Sequence, residues 1–274
     1  MGSEKFKLNI GGFFGLFLYY IFIGGLLSWL FSLVTPDHSS HLLKSILLIA
    51  KDIIPLAVVL YLILWSVRFN YEPGFRFSFL GDFNYKLLLS VLLVTLGYFF
   101  WFHNSIGIWS ERIPLGKFFE EIIRKIELDI KEYPIPYFLQ IAIFAPFFEE
   151  VLFRGIILRG FLANYKPTTA IFLSALFFGL IHMNGPQFVN AFLIGLFLGI
   201  VYYRTQSLLL CIAVHAMNNS IGFLDDSDKF QPGVTGFLIG IAVFSIGIYL
   251  FSRQIPPKLT ELPLAPEPEP ITTE

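Results

Sequence analysis

The chain has 274 residues, of which 55% are hydrophobic and 14% charged, with a mean hydropathy of +0.70 and a formal net charge of −1. Against the roughly 25% charged residues of soluble domains, so few charges exclude a water-soluble globule and mark an integral membrane protein. The balanced charge offers no basic face for nucleic acid, and the single cysteine, Cys211, excludes an intramolecular disulfide or a multi-cysteine metal site.

A helix needs about 20 mostly apolar residues to cross the hydrocarbon core, and apolar runs predict about eight such spans. The first, over 9–34, follows Lys5 and Lys7 and carries no small-residue cleavage pattern, so it reads as a retained anchor. The second, 45–67, is interrupted by Lys51 and Asp52, and the third, 86–102, is short. Between the third and fourth lies "ERIPLGKFFEEIIRKIELDIKE", whose Leu115, Phe118, Phe119, Ile122, Ile123 and Ile126 recur at helical spacing among charges. That pattern predicts an amphipathic helix over about 113–131, lying on the membrane surface. The remaining spans are expected at 136–163, 168–184, 187–204, 207–224 and 233–252. Residues 1–253 thus form one membrane domain, with 254–274, rich in Pro and Glu, as a disordered tail.

Basic residues orient the bundle. With both termini cytoplasmic in a cell membrane, the inner loops carry Lys5, Lys7, Arg68, Arg76, Lys86, Arg159, Lys166, Arg204, Arg253 and Lys258. The basic residues of 111–132 then fall outside and count against this orientation. Gly195 with Gly199 and Gly236 with Gly240 are small-residue pairs of the kind that let membrane helices approach closely.

The informative residues are the polar ones inside apolar spans. "FAPFFEEVLFRG" places Glu149, Glu150 and Arg154 in the fourth span, where a charge costs roughly 3 kcal/mol or more at the bilayer centre. Residues i and i+4 share a helix face, so Arg154 lies over Glu150 and leaves Glu149 turned toward another helix. "FFGLIHMN" sets Phe178 one turn before His182, and "CIAVHAMNNS" sets His215 one turn before Asn219. Counted along the helices at about 1.5 Å per residue, Glu149, His182, His215 and Asn219 fall in one layer near mid-membrane. The fold class is accordingly all-α, a polytopic membrane protein of about eight transmembrane helices around a polar intramembrane cavity.

A carboxylate beside a histidine can take a proton from water, while a second histidine and an amide can donate to a developing oxyanion. That set suits amide hydrolysis without a covalent intermediate. Two rivals use the same residues. Cys211 lies one turn before His215 and could form a nucleophile pair with it, and zinc could be held by Glu149, His182 and His215, although the HExxH signature is absent. No cofactor is expected, with zinc the weaker alternative.

Three patterns in order, "EEVLFR" at 149–154, "FGLIH" at 178–182 and "HAMNN" at 215–219, resemble the EExxxR, FxxxH and HxxxN motifs of one family. It is the CAAX prenyl endopeptidase and bacteriocin-processing (Abi) family of intramembrane glutamate proteases, and the similarity covers 136–224, the implied catalytic core. The resemblance implies an eight-helix peptidase with a conical cavity. By similarity, Glu149 with His182 would activate water, His215 and Asn219 would bind the oxyanion, and Glu150, Arg154 and Phe178 would support the site. Its substrate would be a membrane-associated peptide or protein, a prenylated CAAX-type tail or another, met in the lipid bilayer. The alternatives are a proton-coupled transporter built on the same Glu and His residues and a non-catalytic immunity or scaffold protein.

Overall fold

The computed structural model describes residues 6–33, 40–70, 77–224 and 233–255, and its elements are helices, with no strand among the described residues. The helices are α1 (Ile10–Ser32), α2 (His41–Asn70), α3 (Tyr85–His103), α4 (Ile106–Ser110), α5 (Lys117–Glu132), α6 (134–162), α7 (Pro167–Leu180), α8 (Gly185–Thr205), α9 (Leu208–Leu224) and α10 (Val234–Gln254). Five of them, α1, α2, α3, α8 and α10, are long and apolar enough to cross a membrane, and α7 and α9 are shorter apolar helices. The protein is therefore an all-α polytopic membrane protein. Lys5, Arg76, Lys258 and the Pro/Glu-rich segment from 256 onward lie outside the described residues; the segment expected as a tail from 254 begins inside α10.

Several boundaries differ from those expected. Lys51 and Asp52 do not interrupt α2, because the Asp52 carboxylate accepts a hydrogen bond from Gln140 Nε2 at 2.9 Å, and the helix continues through Pro55 to Asn70. The span expected over 168–184 ends at Leu180. The chain turns there, with Met183 in the left-handed region at φ 56°, so that Asn184 can cap α8 by accepting from the Gln187 N–H at 2.9 Å. His182 consequently sits in the turn after α7. The amphipathic helix α5 starts at Lys117, after the extended Gly116, and leaves Leu115 ahead of it.

Small residues set the closest helix approaches, as their spacing suggested. On α3 and α10, a Cβ at Gly97 would lie 2.2 Å from the Phe244 backbone nitrogen, and one at Gly240 would lie 2.4 Å from the Trp101 nitrogen. On α8, a Cβ at Gly195 would lie 3.3 Å from the Ala175 Cα of α7, and one at Gly199 would lie 2.9 Å from the Ile171 side chain. Backbone-to-backbone contact leaves no flexible side chain to yield. Gly240→Leu is thus expected to separate α3 from α10 and to cost more than the roughly 1–3 kcal/mol of ordinary overpacking, read as a lower Tm in detergent; an unchanged Tm would show that the two helices are not held there.

The core gathers on α6. Its eight residues Val151–Leu158 are all buried, surrounded by Phe177 and Phe178 of α7, Ile194 and Leu198 of α8, and Leu210 and Val214 of α9. At its far end the segment before α1 closes over the helix, with the Leu8 N–H donating to the Gly160 carbonyl at 2.9 Å. The helix that carries the two glutamates is therefore the most enclosed element of the fold.

Candidate active site

The local shape of the middle of α6 follows from Pro146. Pro146 has no N–H, and within a helix its ring clashes with the carbonyl four residues back. The chain widens just before it: Gln140–Phe144 is π-helical, and the Ala145 N–H reaches back five residues to the Gln140 carbonyl. After the α segment Ala145–Glu150 the helix widens again over Val151–Leu158. Such π segments recur at functional sites because they redirect side chains that a regular helix would place elsewhere.

Glu150 and Arg154 pair as the sequence spacing requires. Arg154 Nη1 donates to Glu150 Oε1 at 2.8 Å, with both side chains 0% exposed. The guanidinium also donates through Nη2 to the Gly195 carbonyl at 3.1 Å and lies 4.7 Å from the centre of the Phe178 ring. A buried cation is tolerated only when it is paired and hydrogen-bonded, and three helices supply partners to Nη1, Nη2 and the face of this one, while its Nε and Glu150 Oε2 have none among the described residues. The pair also has a third member. His215 Nδ1 lies 2.8 Å from the same Glu150 Oε1.

That contact fixes the imidazole. A carboxylate paired with arginine accepts, so His215 Nδ1 carries the hydrogen, and a neutral ring then keeps its lone pair on Nε2. Nε2 faces the other glutamate, 3.8 Å from Glu149 Oε2. Glu149 differs from Glu150 in one decisive respect: its side chain is 25% exposed, whereas Glu150 is sealed. The spacing of 3.8 Å is too long for a direct hydrogen bond and short enough for one water to touch both groups.

Glu149, His182, His215 and Asn219 all line one cavity of about 710 Å³, so the residues placed in a common layer by helix counting share a single space. His182 stands on its wall, its Nδ1 2.9 Å from the Phe178 carbonyl, which as a pure acceptor also places the hydrogen on Nδ1. No hydrogen bond or ion pair joins His182 to Glu149; the imidazole brought to Glu149 is that of His215. Phe178 separates the two histidines, edge-on to His182 at 5.4 Å and to His215 at 5.5 Å. Asn219 Nδ2 donates to the Ile141 carbonyl at 2.9 Å, and its Oδ1 accepts from Asn218 Nδ2 at 3.3 Å.

Cys211 is fully buried, directs its thiol at the Leu198 carbonyl at 3.6 Å and does not line the cavity, which removes the geometry a cysteine nucleophile would need. Among the described residues no three His, Cys, Asp or Glu side chains gather around one metal-sized position. The cavity also contains residues that the motifs did not point to. His103, Asn190 and Asn218 line it, and so do Ile123, Ile126, Glu127 and Ile130 of α5. The helix read as lying on the membrane surface thus forms part of the cavity wall. The spacing of Ile123, Ile126 and Ile130 was the available signal, but amphipathic periodicity does not say whether lipid or protein meets the apolar face.

Residues 131–221 match the family described as Rce1-like, type II CAAX prenyl endopeptidase Rce1-like. The helices of the site are similar to that family. The match runs from the end of α5 through α6, α7 and α8 into α9 and so includes every motif residue of the site just described, while α1–α4 and α10 lie outside it. No curated protein and no solved structure matches the chain. The match covers about a third of the chain, and the likeness is to a family described as CAAX prenyl endopeptidases.

Proposed function

We propose that the chain is a membrane-embedded endopeptidase in which Glu149 and His215 together activate a water molecule. The observation that carries this reading is the 3.8 Å gap between Glu149 Oε2 and His215 Nε2, at a wall of the large cavity and backed by the sealed Glu150–Arg154 pair. A water in that gap gives its proton to the carboxylate or the imidazole as its oxygen attacks the scissile carbonyl. Glu150 holds the imidazole in the required tautomer, as a carboxylate behind a histidine does in other hydrolases. The departing amine takes back the proton that the carboxylate or imidazole received from water, and His182, with its Nδ1–H engaged by the Phe178 carbonyl, keeps the Nε2 lone pair for the cavity as an acceptor that orients the substrate. An Asn219 N–H donates to the oxygen that becomes negative in the tetrahedral intermediate. Here the roles differ from those carried by resemblance, which paired Glu149 with His182.

For the substrate we propose a peptide bearing a lipid-like group. Glu149 also borders an apolar crevice with only about 20 Å³ of free space, formed by Phe13, Leu16, Phe17, Leu152, Phe153 and Ile157, so the carboxylate stands between the large cavity and a closely packed apolar wall. The large cavity, with Ile123, Ile126 and Ile130 on one wall and Glu149 on another, has the room for an isoprenoid or other aliphatic chain, which would present the adjoining peptide to Glu149. Purified protein and matched fluorogenic peptides, prenylated and unprenylated, test both parts. Wild type is expected to cleave, the prenylated peptide with the lower KM. His215→Ala is expected to lower kcat by about 100-fold or more, within the range for loss of a proton carrier, and His182→Ala by less. If both variants cleave like wild type, the assignment of the cavity is lost.

A further inference from the structure

The Ile141 carbonyl is unusual for a main-chain group in an enclosed helix. In an α-helix it would accept from the Ala145 N–H, but that N–H is directed to the Gln140 carbonyl. In a π-helix its donor would be residue 146, which is Pro146 and has none. Neither backbone register supplies a hydrogen. A carbonyl without a donor away from water costs free energy on the scale of a lost hydrogen bond, so it must find a side chain. It finds Asn219, whose Nδ2 lies 2.9 Å away on α9.

We infer that Pro146 is a positioning residue: by withholding an N–H from the Ile141 carbonyl it creates the anchor that fixes the Asn219 carboxamide in the cavity wall. The orientation of that amide is determined from both ends, because Ile141 O can only accept and Asn218 Nδ2 can only donate. With one N–H of Nδ2 on the carbonyl and Oδ1 on Asn218, the second N–H is the donor of the amide still unassigned, and Asn219 lines the cavity. The same anchor ties α9 to α6 near the Glu150–His215 bond, so the two helices that face each other across the Glu149–His215 gap are clasped at two levels. Pro146 lies three residues before Glu149 and is itself buried, and it acts on the Asn219 amide through the carbonyl it leaves free.

The catalytic part of this inference rests on the endopeptidase reading; the anchoring part does not, and a thermodynamic cycle separates them. Pro146→Ala, Asn219→Ala and the double variant are compared by Tm in detergent and by kcat and KM on the cleaved peptide. Asn219→Ala is expected to lower Tm by several degrees, because the Ile141 carbonyl loses its donor. In the Pro146→Ala background the same change is expected to cost almost nothing, because the new backbone N–H at position 146 now reaches that carbonyl. For turnover, Pro146→Ala alone is expected to lower kcat about tenfold with KM unchanged, since the amide is no longer held, and the double variant should be no slower than Asn219→Ala. Equal Tm losses for Asn219→Ala in both backgrounds would overturn the inference, as would a wild-type kcat in Pro146→Ala. A coupled Tm cycle in a protein that cleaves no peptide would instead uphold the anchor and sink the endopeptidase reading alone.

Discussion

Glu149→Gln is expected to reduce turnover by about three orders of magnitude or more while leaving Tm at the wild-type value. The amide has the size and polarity of the carboxylate, so the cavity wall and the Tyr20, Leu152 and Phe153 side chains bordering the adjoining crevice keep their contacts. What it lacks is the ability to take a proton from water, and a positioned base contributes roughly 10²–10⁴ in rate. The larger end of that range is expected here because His215 cannot replace it alone: its Nε2 faces the glutamate, and with that carboxylate gone the imidazolium formed on proton transfer is left with Glu150, whose charge Arg154 already balances. The measurement is kcat on the cleaved peptide beside a thermal melt of the same preparation. A variant that retains more than a tenth of wild-type kcat would remove Glu149 from the chemistry.

Glu150→Ala is expected to act in the opposite way, on stability first. It leaves Arg154, at 0% exposure, with the Gly195 carbonyl and the Phe178 ring but no counter-charge, and it removes the acceptor of His215 Nδ1. Breaking a buried pair by deleting one partner typically costs roughly 3–5 kcal/mol, because the surviving charge stays desolvated. Tm should fall clearly. Changing Arg154 to Leu in the same protein should restore part of it, since the stranded cation is then gone. Activity should not return with it: the His215 ring still lacks the carboxylate that orients it, so the rescued double variant is expected to be folded and slow. This separation between recovered Tm and unrecovered kcat distinguishes a residue with two tasks from one that only stitches helices. If Glu149→Gln instead unfolds the protein while Glu150→Ala is stable and inactive, the two carboxylates have been given each other's roles.

The membrane location, the all-helical class, the Glu150–Arg154 pair and the convergence of Glu149, His182, His215 and Asn219 followed from sequence by itself, for a simple reason. They depend on hydropathy and on spacing within one helix, where i and i+4 share a face whatever surrounds them. The small-residue pair Gly236 and Gly240 was legible on the same ground, because small residues four apart leave a groove on any helix. Relations between helices were not. That His215 bonds Glu150 and faces Glu149, while His182 turns back to its own Phe178 carbonyl, depends on the rotation of α9 against α6 and on α7 ending at Leu180. A periodic pattern says which residues share a face, not which neighbour that face meets, so α5 as a cavity wall was invisible too. The π-helical widening of α6 lies between these cases. Pro146 was in plain view, but whether the freed carbonyl would kink the helix, bind water or capture Asn219 was decided only when α9 was packed beside it.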